Sequence, residues 1–183
     1  MKKSLGVKPY IFPQPVLIIG TYDENGQPNV MNAAWGGMAD DTEIMVCLGS
    51  HKTTANLAIN KACTIAMGNI NHVTVCDYVG ITSANNTPDK FAKTGWTTTK
   101  STFVNAPIIN ELPFTLECSL IKIVDDVKYF FRIENVSADE SILTNGKIDI
   151  TKLQPIVYDP ASASYYVIGA KVGQAFADGK KIK

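Results

Sequence analysis

A chain of 183 residues, 45% hydrophobic and 19% charged, carries enough apolar material for one buried core and does not read as a disordered polymer. Seventeen basic residues balance seventeen acidic ones, and sixteen of the basic ones are lysine, Arg132 being the only arginine. Such a balance disfavours nucleic acid as a partner, because phosphate backbones select basic surfaces, and it raises no charge barrier to self-association.

Residues 16–22, V-L-I-I-G-T-Y, predict a buried strand, and their four-residue apolar run is too short for a secretion signal or a membrane span. The expected location is therefore the cytoplasm, with no membrane partner. Asp23-Glu24-Asn25-Gly26 predicts a hairpin turn, since Asn and Gly both tolerate positive φ. The return strand runs over 27–32, which confines Pro28 to an edge or to the strand start. Next comes Asn32-Ala33-Ala34-Trp35-Gly36-Gly37. Two small residues and a glycine pair expose backbone against which a planar ligand could lie, with Asn32 offering both donor and acceptor. The plainer reading is a strand end running into a glycine loop, with Trp35 packed in the core.

Asp40-Asp41-Thr42-Glu43 lacks the alternating spacing of a calcium loop and reads as a solvated turn. A third strand is predicted over 43–48 and a helix over 52–61. The helix opens with Ser50-His51-Lys52-Thr53-Thr54. Unpartnered N–H groups, the positive end of the helix dipole, a lysine and three hydroxyls make a cradle for a phosphate monoester. An ordinary cap, with the Ser50 oxygen accepting from the Thr53 N–H, is the alternative. His51 is then a flank of the cradle or an exposed residue, and neither it nor His72 carries an assigned acid–base role.

A strand over 63–67 and a short helix over 72–79 follow. Thr87-Pro88-Asp89-Lys90 is a helix start, and Gly95 keeps that helix brief. Phe91 and Trp96 bracket a loop rich in small polar residues, Thr82 to Asn86 before and Thr97 to Thr102 after, that either folds over an aromatic ligand or is pinned to the surface by two apolar anchors. Long strands over 115–124 and 128–137 meet at Asp125-Asp126. In the first, Leu116, Cys118, Leu120 and Lys122 share one face, opposite Glu117, Ser119, Ile121 and Ile123. Apolar runs at 155–158 and 164–169 close the pattern.

Cys47, Cys63, Cys76 and Cys118 show neither C-x-x-C nor zinc-like spacing and are expected to be reduced and structural. No catalytic constellation and no metal site is predicted. Many strands with short helices between them predict a mainly β fold, an antiparallel barrel with helical excursions. The absence of G-x-G-x-x-G and of a Walker loop removes a Rossmann reading.

Several runs, in order, resemble the flavin reductase-like family of FMN-binding split barrels and its flavoredoxin branch. They are P-x-P-V-L-I-I-G-T at 13–21, N-V-M-N-A-A-W at 29–35, S-H-K-T-T-A-N-L at 50–57, D-K-F-x-x-x-G at 89–95, A-P-x-I-x-E at 106–111, and the closing P-I-V-Y and Y-Y-V-I-G. The resemblance implies one domain over 1–183, built as a six-stranded antiparallel split β-barrel that forms a homodimer and holds FMN near the subunit interface. It implies that Asn32, Ala33, Ala34 and Trp35 border the ring and ribityl chain. It places the phosphate on Ser50, His51, Lys52, Thr53 and Thr54, with Lys52 where relatives often carry arginine. Lys171 is expected to add charge from the C-terminal segment. The implied activity is that of an NAD(P)H-dependent flavin reductase passing electrons through FMN to a flavin or an iron–sulfur or other redox protein. An electron carrier without nicotinamide turnover and a cofactor-free binding module are the alternatives.

Overall fold

The computed structural model describes residues 1–182. In chain order its strands are β1 (Gln14–Pro15), β2 (Leu17–Tyr22), β3 (Pro28–Ala33), β4 (Gly36–Asp40), β5 (Glu43–Cys47), β6 (Ala62–Met67), β7 (Thr98–Lys100), β8 (Pro107–Ile109), β9 (Phe114–Val124), β10 (Lys128–Ala138), β11 (Leu143–Thr144), β12 (Lys147–Ile148), β13 (Ile156–Asp159) and β14 (Ser164–Val167). The helices are α1 (Lys52–Asn60), α2 (Val73–Ile81), α3 (Lys90–Lys93) and α4 (Ile150–Leu153). Among the described residues, no helix is long and apolar enough to cross a membrane.

The main sheet has the order β3-β2-β6-β9-β10-β5-β4, antiparallel at every step. Six of these strands, β3 to β5 in that order, make the curled split barrel, and β4 extends it beyond β5. A second sheet, β1-β13-β14, lies outside it.

The run of apolar residues entering β2 serves two cores at once. Leu17 and Ile19 join Ile44, Val46, Leu57, Ile65 and Phe131 in one cluster, which fills the barrel. Val16 and Ile18 join Val30, Cys76, Val79, Trp96 and Ile156 in a second cluster, beneath α2 and the outer sheet. Successive side chains on a strand point to opposite faces, so a strand buried on both reads as continuously apolar. Cys63 and Cys118, opposite each other on β6 and β9, are free thiols in the first cluster, and Cys76 is free in the second. Burial pushes the Cys63 thiol up and the Cys76 thiol up to about 12, which leaves both protonated and unreactive.

Three local readings need correction. In the β2–β3 hairpin only Gly26 adopts positive φ, at 74°. Asn25 does not, because the Asp23 Oδ1 accepts from the N–H groups of Asn25 and Gln27, both at 2.9 Å, and sets the turn. Pro28 begins β3, an edge strand, where its missing donor is harmless. The paired positive φ values fall instead on Asp125 and Asp126, at 52° and 60°, in the β9–β10 turn.

Gly36 and Gly37 do not form a loop but begin β4, opposite Val46 and Met45. A Cβ on Gly36 would lie 2.9 Å from both the Leu17 Cδ1 and the Met45 carbonyl oxygen. Close approach, not turn formation, is what uses the glycine. Trp35, which the plainer of its two readings packed in the core, is 55% exposed.

Glu117, on the outward face of β9, is fully buried all the same. One carboxylate oxygen accepts from Asn135 Nδ2 at 2.7 Å and Ser137 Oγ at 2.5 Å, and the other from Ser101 Oγ, tying the β7–β8 connection to the barrel. Burial pushes this carboxyl up, but the bonds from Ser101, Ser137 and Asn135 outweigh it and hold the group below its ordinary value. A depressed carboxyl contributes stability that is present above its unfolded-state pKa and lost as pH falls. Urea midpoints between pH 7 and pH 3.5 are therefore expected to fall less steeply for Glu117→Gln than for the native chain. Parallel curves would refute a stabilising carboxylate.

Candidate functional site

Strand β3 divides the predicted ligand segment between two faces. Met31 and Ala33 pack against the barrel core, whereas Asn32 points outward, where its Nδ2 donates to the Cys76 carbonyl of α2 at 3.0 Å. Ala34 falls on the Asn32 side. Trp35 lies in a different hollow of about 700 Å³, together with Tyr10, Met38, Met45 and Phe130. Alternation therefore splits the four predicted residues: Asn32 and Ala34 face the outer groove, while Ala33 and Trp35 do not.

The outer groove has three abutting parts. A cavity of about 270 Å³ is lined by Asn29, Asn32, His51, Lys52, Thr53, Lys90 and the chain from Val79 to Ala84. Asn32, Gly80 and Ile81 also line a cavity of about 330 Å³ that reaches Asp77, Tyr158 and Tyr165. Asn29, Lys52 and Ala84 also line one of about 350 Å³ that reaches Phe91 and Asn85. Each part is near the lower edge of the roughly 300–1,000 Å³ typical of cofactor sites, and together they suit an elongated molecule. The hollow at Trp35 is larger but mostly apolar, and Lys8 is its only charged lining residue. The polar donors converge in the outer groove.

At its centre stands the start of α1. His51, not Ser50, occupies the N-cap position, and its N–H donates to Thr54 Oγ1 at 2.9 Å while that hydroxyl donates to the His51 carbonyl at 2.8 Å. The Thr54 hydroxyl is thereby committed to the helix. Thr53 is buried and accepts from Asn29 Nδ2 at 2.9 Å, so its own proton remains to donate. Lys52 reaches Glu24 at 3.5 Å and keeps contact with solvent. Ser50 is exposed and does not line the cavity. Lys171 bonds Gln174 at 2.8 Å on the exposed C-terminal segment and lines none of the three parts.

Thr54→Ala should accordingly cost about 1 kcal/mol of stability, a usual value for a lost helix cap, without a specific effect on an anion at this site. Thermal unfolding with and without inorganic phosphate separates the two.

Two contributors lie outside the predicted site residues. The residues after α2, Thr82 to Ala84, enter the lining because α2 packs across β3, a long-range contact with no local pattern. Lys90 is buried although it is a lysine, and only its place in the Asp89–Gly95 run drew notice to it. Phe91 and Trp96 act mainly as anchors. Trp96 is buried in the second core and its Nε1 donates to His72 Nδ1 at 3.4 Å, while Phe91 packs against the same cluster and reaches the groove wall.

The lining suits an anionic, partly aromatic ligand. Lys52 and Lys90 are its cations at the α1 end, no carboxylate lines that central cavity, and the first turn of α1 adds N–H donors. At the other end, Tyr165 donates to Asp77 Oδ1 at 2.8 Å; burial first, and then the Asp77 carboxylate, push its hydroxyl up to about 12.

A family model described as flavin reductase like domain matches residues 10–160. The flavoredoxin of Desulfovibrio vulgaris (Miyazaki F) is 36% identical, with TM-score 0.94, over 98% of this chain and 100% of that one. A flavoredoxin from Methanosarcina acetivorans has 24% identity and TM-score 0.89 over 100% of both chains. Nitrilotriacetate monooxygenase component B from Bacillus cereus, at 16% identity and TM-score 0.79 over 95% of this chain and 100% of that one, shares the fold. No curated protein sequence matches significantly.

Proposed function

The chain belongs to the flavin reductase-like family of FMN-binding split barrels, in its flavoredoxin branch, and on that premise we propose that it binds FMN in the outer groove and acts as an NAD(P)H-dependent flavin reductase. The observation that carries this reading is the acid-free cavity in which the α1 N-terminus, Lys52 and Thr53 converge beside Asn32. Lys52, Thr53 and the N–H groups of the first helical turn hold the phosphate. Asn32 and the backbone of residues 80–84 orient the rest, with Ala34 leaving room for a flat ring.

FMN supplies the redox chemistry, accepting hydride and releasing electrons singly or in pairs. The residues around it bind, align and exclude water. No lining side chain needs to act as a general acid or base in this reading. Residues 1–183 are proposed to form one such domain. Exposed Phe12, Trp35, Met38, Tyr166 and Val167 favour a homodimer, which light scattering at micromolar concentration would register as twice the 19.9 kDa chain mass.

The protein purified with FMN is expected to keep a flavin spectrum through gel filtration, and anaerobic NADH or NADPH to bleach it. A colourless protein would overturn FMN binding. The 36% identity to a flavoredoxin favours a second reading, an electron carrier without nicotinamide turnover. In that case bleaching requires a reduced iron–sulfur protein and not the nicotinamide.

A further inference from the structure

Lys90 is 3% exposed, and its Nζ donates to the carbonyl of Val79, near the C-terminal end of α2, at 2.7 Å. An ammonium group has three protons to donate, and this bond uses one. Among the described residues, no carboxylate pairs with Lys90, whereas Lys93, the next lysine along the chain, pairs with Asp89 at 3.0 Å. A buried lysine without a counter-ion is costly, and such groups are normally paired. Lys90 lines the same 270 Å³ cavity as Lys52 and Thr53.

The shared lining points to an anion as the partner of Lys90. We propose that Lys90 is the second cation of this site, donating to the phosphate monoester together with Lys52. The inference rests on the reading of the groove as an FMN site and adds a second cation to the lining that holds Lys52. Lys52 alone is a weak match for a dianion, because Glu24 at 3.5 Å already draws on its charge. Lys90 has no such competitor. Burial lowers its pKa to about 8, and an anion beside it would favour the charged form. The Val79 contact has a second role, satisfying a carbonyl at the end of α2. The two roles separate by substitution: Lys90→Gln keeps a donor for Val79 and removes the charge, and Lys90→Met removes both.

The test compares FMN with riboflavin, which lacks the phosphate, by fluorescence titration of the native chain and both variants. Loss of one charge-assisted contact should weaken FMN roughly tenfold to a hundredfold and leave riboflavin within about threefold, in both variants. Lys90→Gln should retain more thermal stability than Lys90→Met. An unchanged FMN-to-riboflavin ratio in both variants would overturn the proposal and leave Lys90 a structural tie.

Inorganic phosphate gives an arm independent of flavin. It should raise the melting temperature of the native chain and not of Lys90→Gln. If neither flavin binds but that difference holds, the FMN reading fails and the second cation stands. Equal stabilisation by phosphate in the two proteins would refute it.

Discussion

Lys52→Glu is expected to weaken FMN binding by about a hundredfold, roughly 3 kcal/mol, while riboflavin affinity stays within about threefold. Reversal does more than remove one attraction. It sets a carboxylate beside the phosphate at the start of α1, where the helix dipole and the unpartnered N–H groups favour the anion. It also places that carboxylate near Glu24, which in the native chain lies 3.5 Å from the Lys52 ammonium. Both changes raise the cost of bringing a dianion into the cavity, whereas riboflavin, which lacks the phosphate, brings no charge for them to repel. Equilibrium dialysis at low and high salt would read the effect. The difference between native and variant should shrink as salt screens the partly exposed charges. Equal losses for FMN and riboflavin would place the fault in the fold and not in phosphate binding.

Phe131→Ala is expected to destabilise the chain by about 3–5 kcal/mol, the usual range for removing a fully buried aromatic ring. Phe131 stands on β10 between Ile44 of β5 and Leu120 of β9, inside the barrel, and its ring stacks near Tyr129 with centroids 6.4 Å apart. The surrounding strands are locked by ladder hydrogen bonds on both sides of β10, so the barrel cannot collapse into the cavity left behind. Urea denaturation gives the value directly, provided the slope is unchanged. A loss below about 1 kcal/mol would mean that the barrel interior repacks freely, contrary to close packing. A typical total stability is only about 5–15 kcal/mol, so this variant should also open the groove more often at 37 °C.

Much of the architecture was legible because it is written in local alternation and punctuation. The paired apolar faces of β2 and β9, the proline at the start of β3 and the turn at Asp125-Asp126 each follow from spacing or from one residue's backbone preference. The short α3 was equally readable from Pro88 and Gly95. The site was legible in part. A lysine with hydroxyl residues on a helix start is a local pattern, and its residues Lys52 and Thr53 do line the central cavity.

Other features had no local signature. β4 exists because Gly36 lets two backbones approach, which depends on Leu17 and Met45 from distant segments. The His51–Thr54 exchange, which removes Thr54 from the ligand's donors, depends on which residue first leaves helical geometry. Burial of Glu117, on the strand face away from the barrel core, depends on Ser101 closing over it.

By itself, then, the sequence determined the six barrel strands, the family and the helix start that favours an anion, because each is encoded by neighbours in the chain. Only the tertiary structure decided which side of β3 faces the groove and that Lys90 is buried in its wall. Those outcomes follow from packing α2 across β3 and α3 beside it, contacts between residues far apart in sequence. A lysine's burial is a property of what surrounds it, and no spacing rule along the chain reports that.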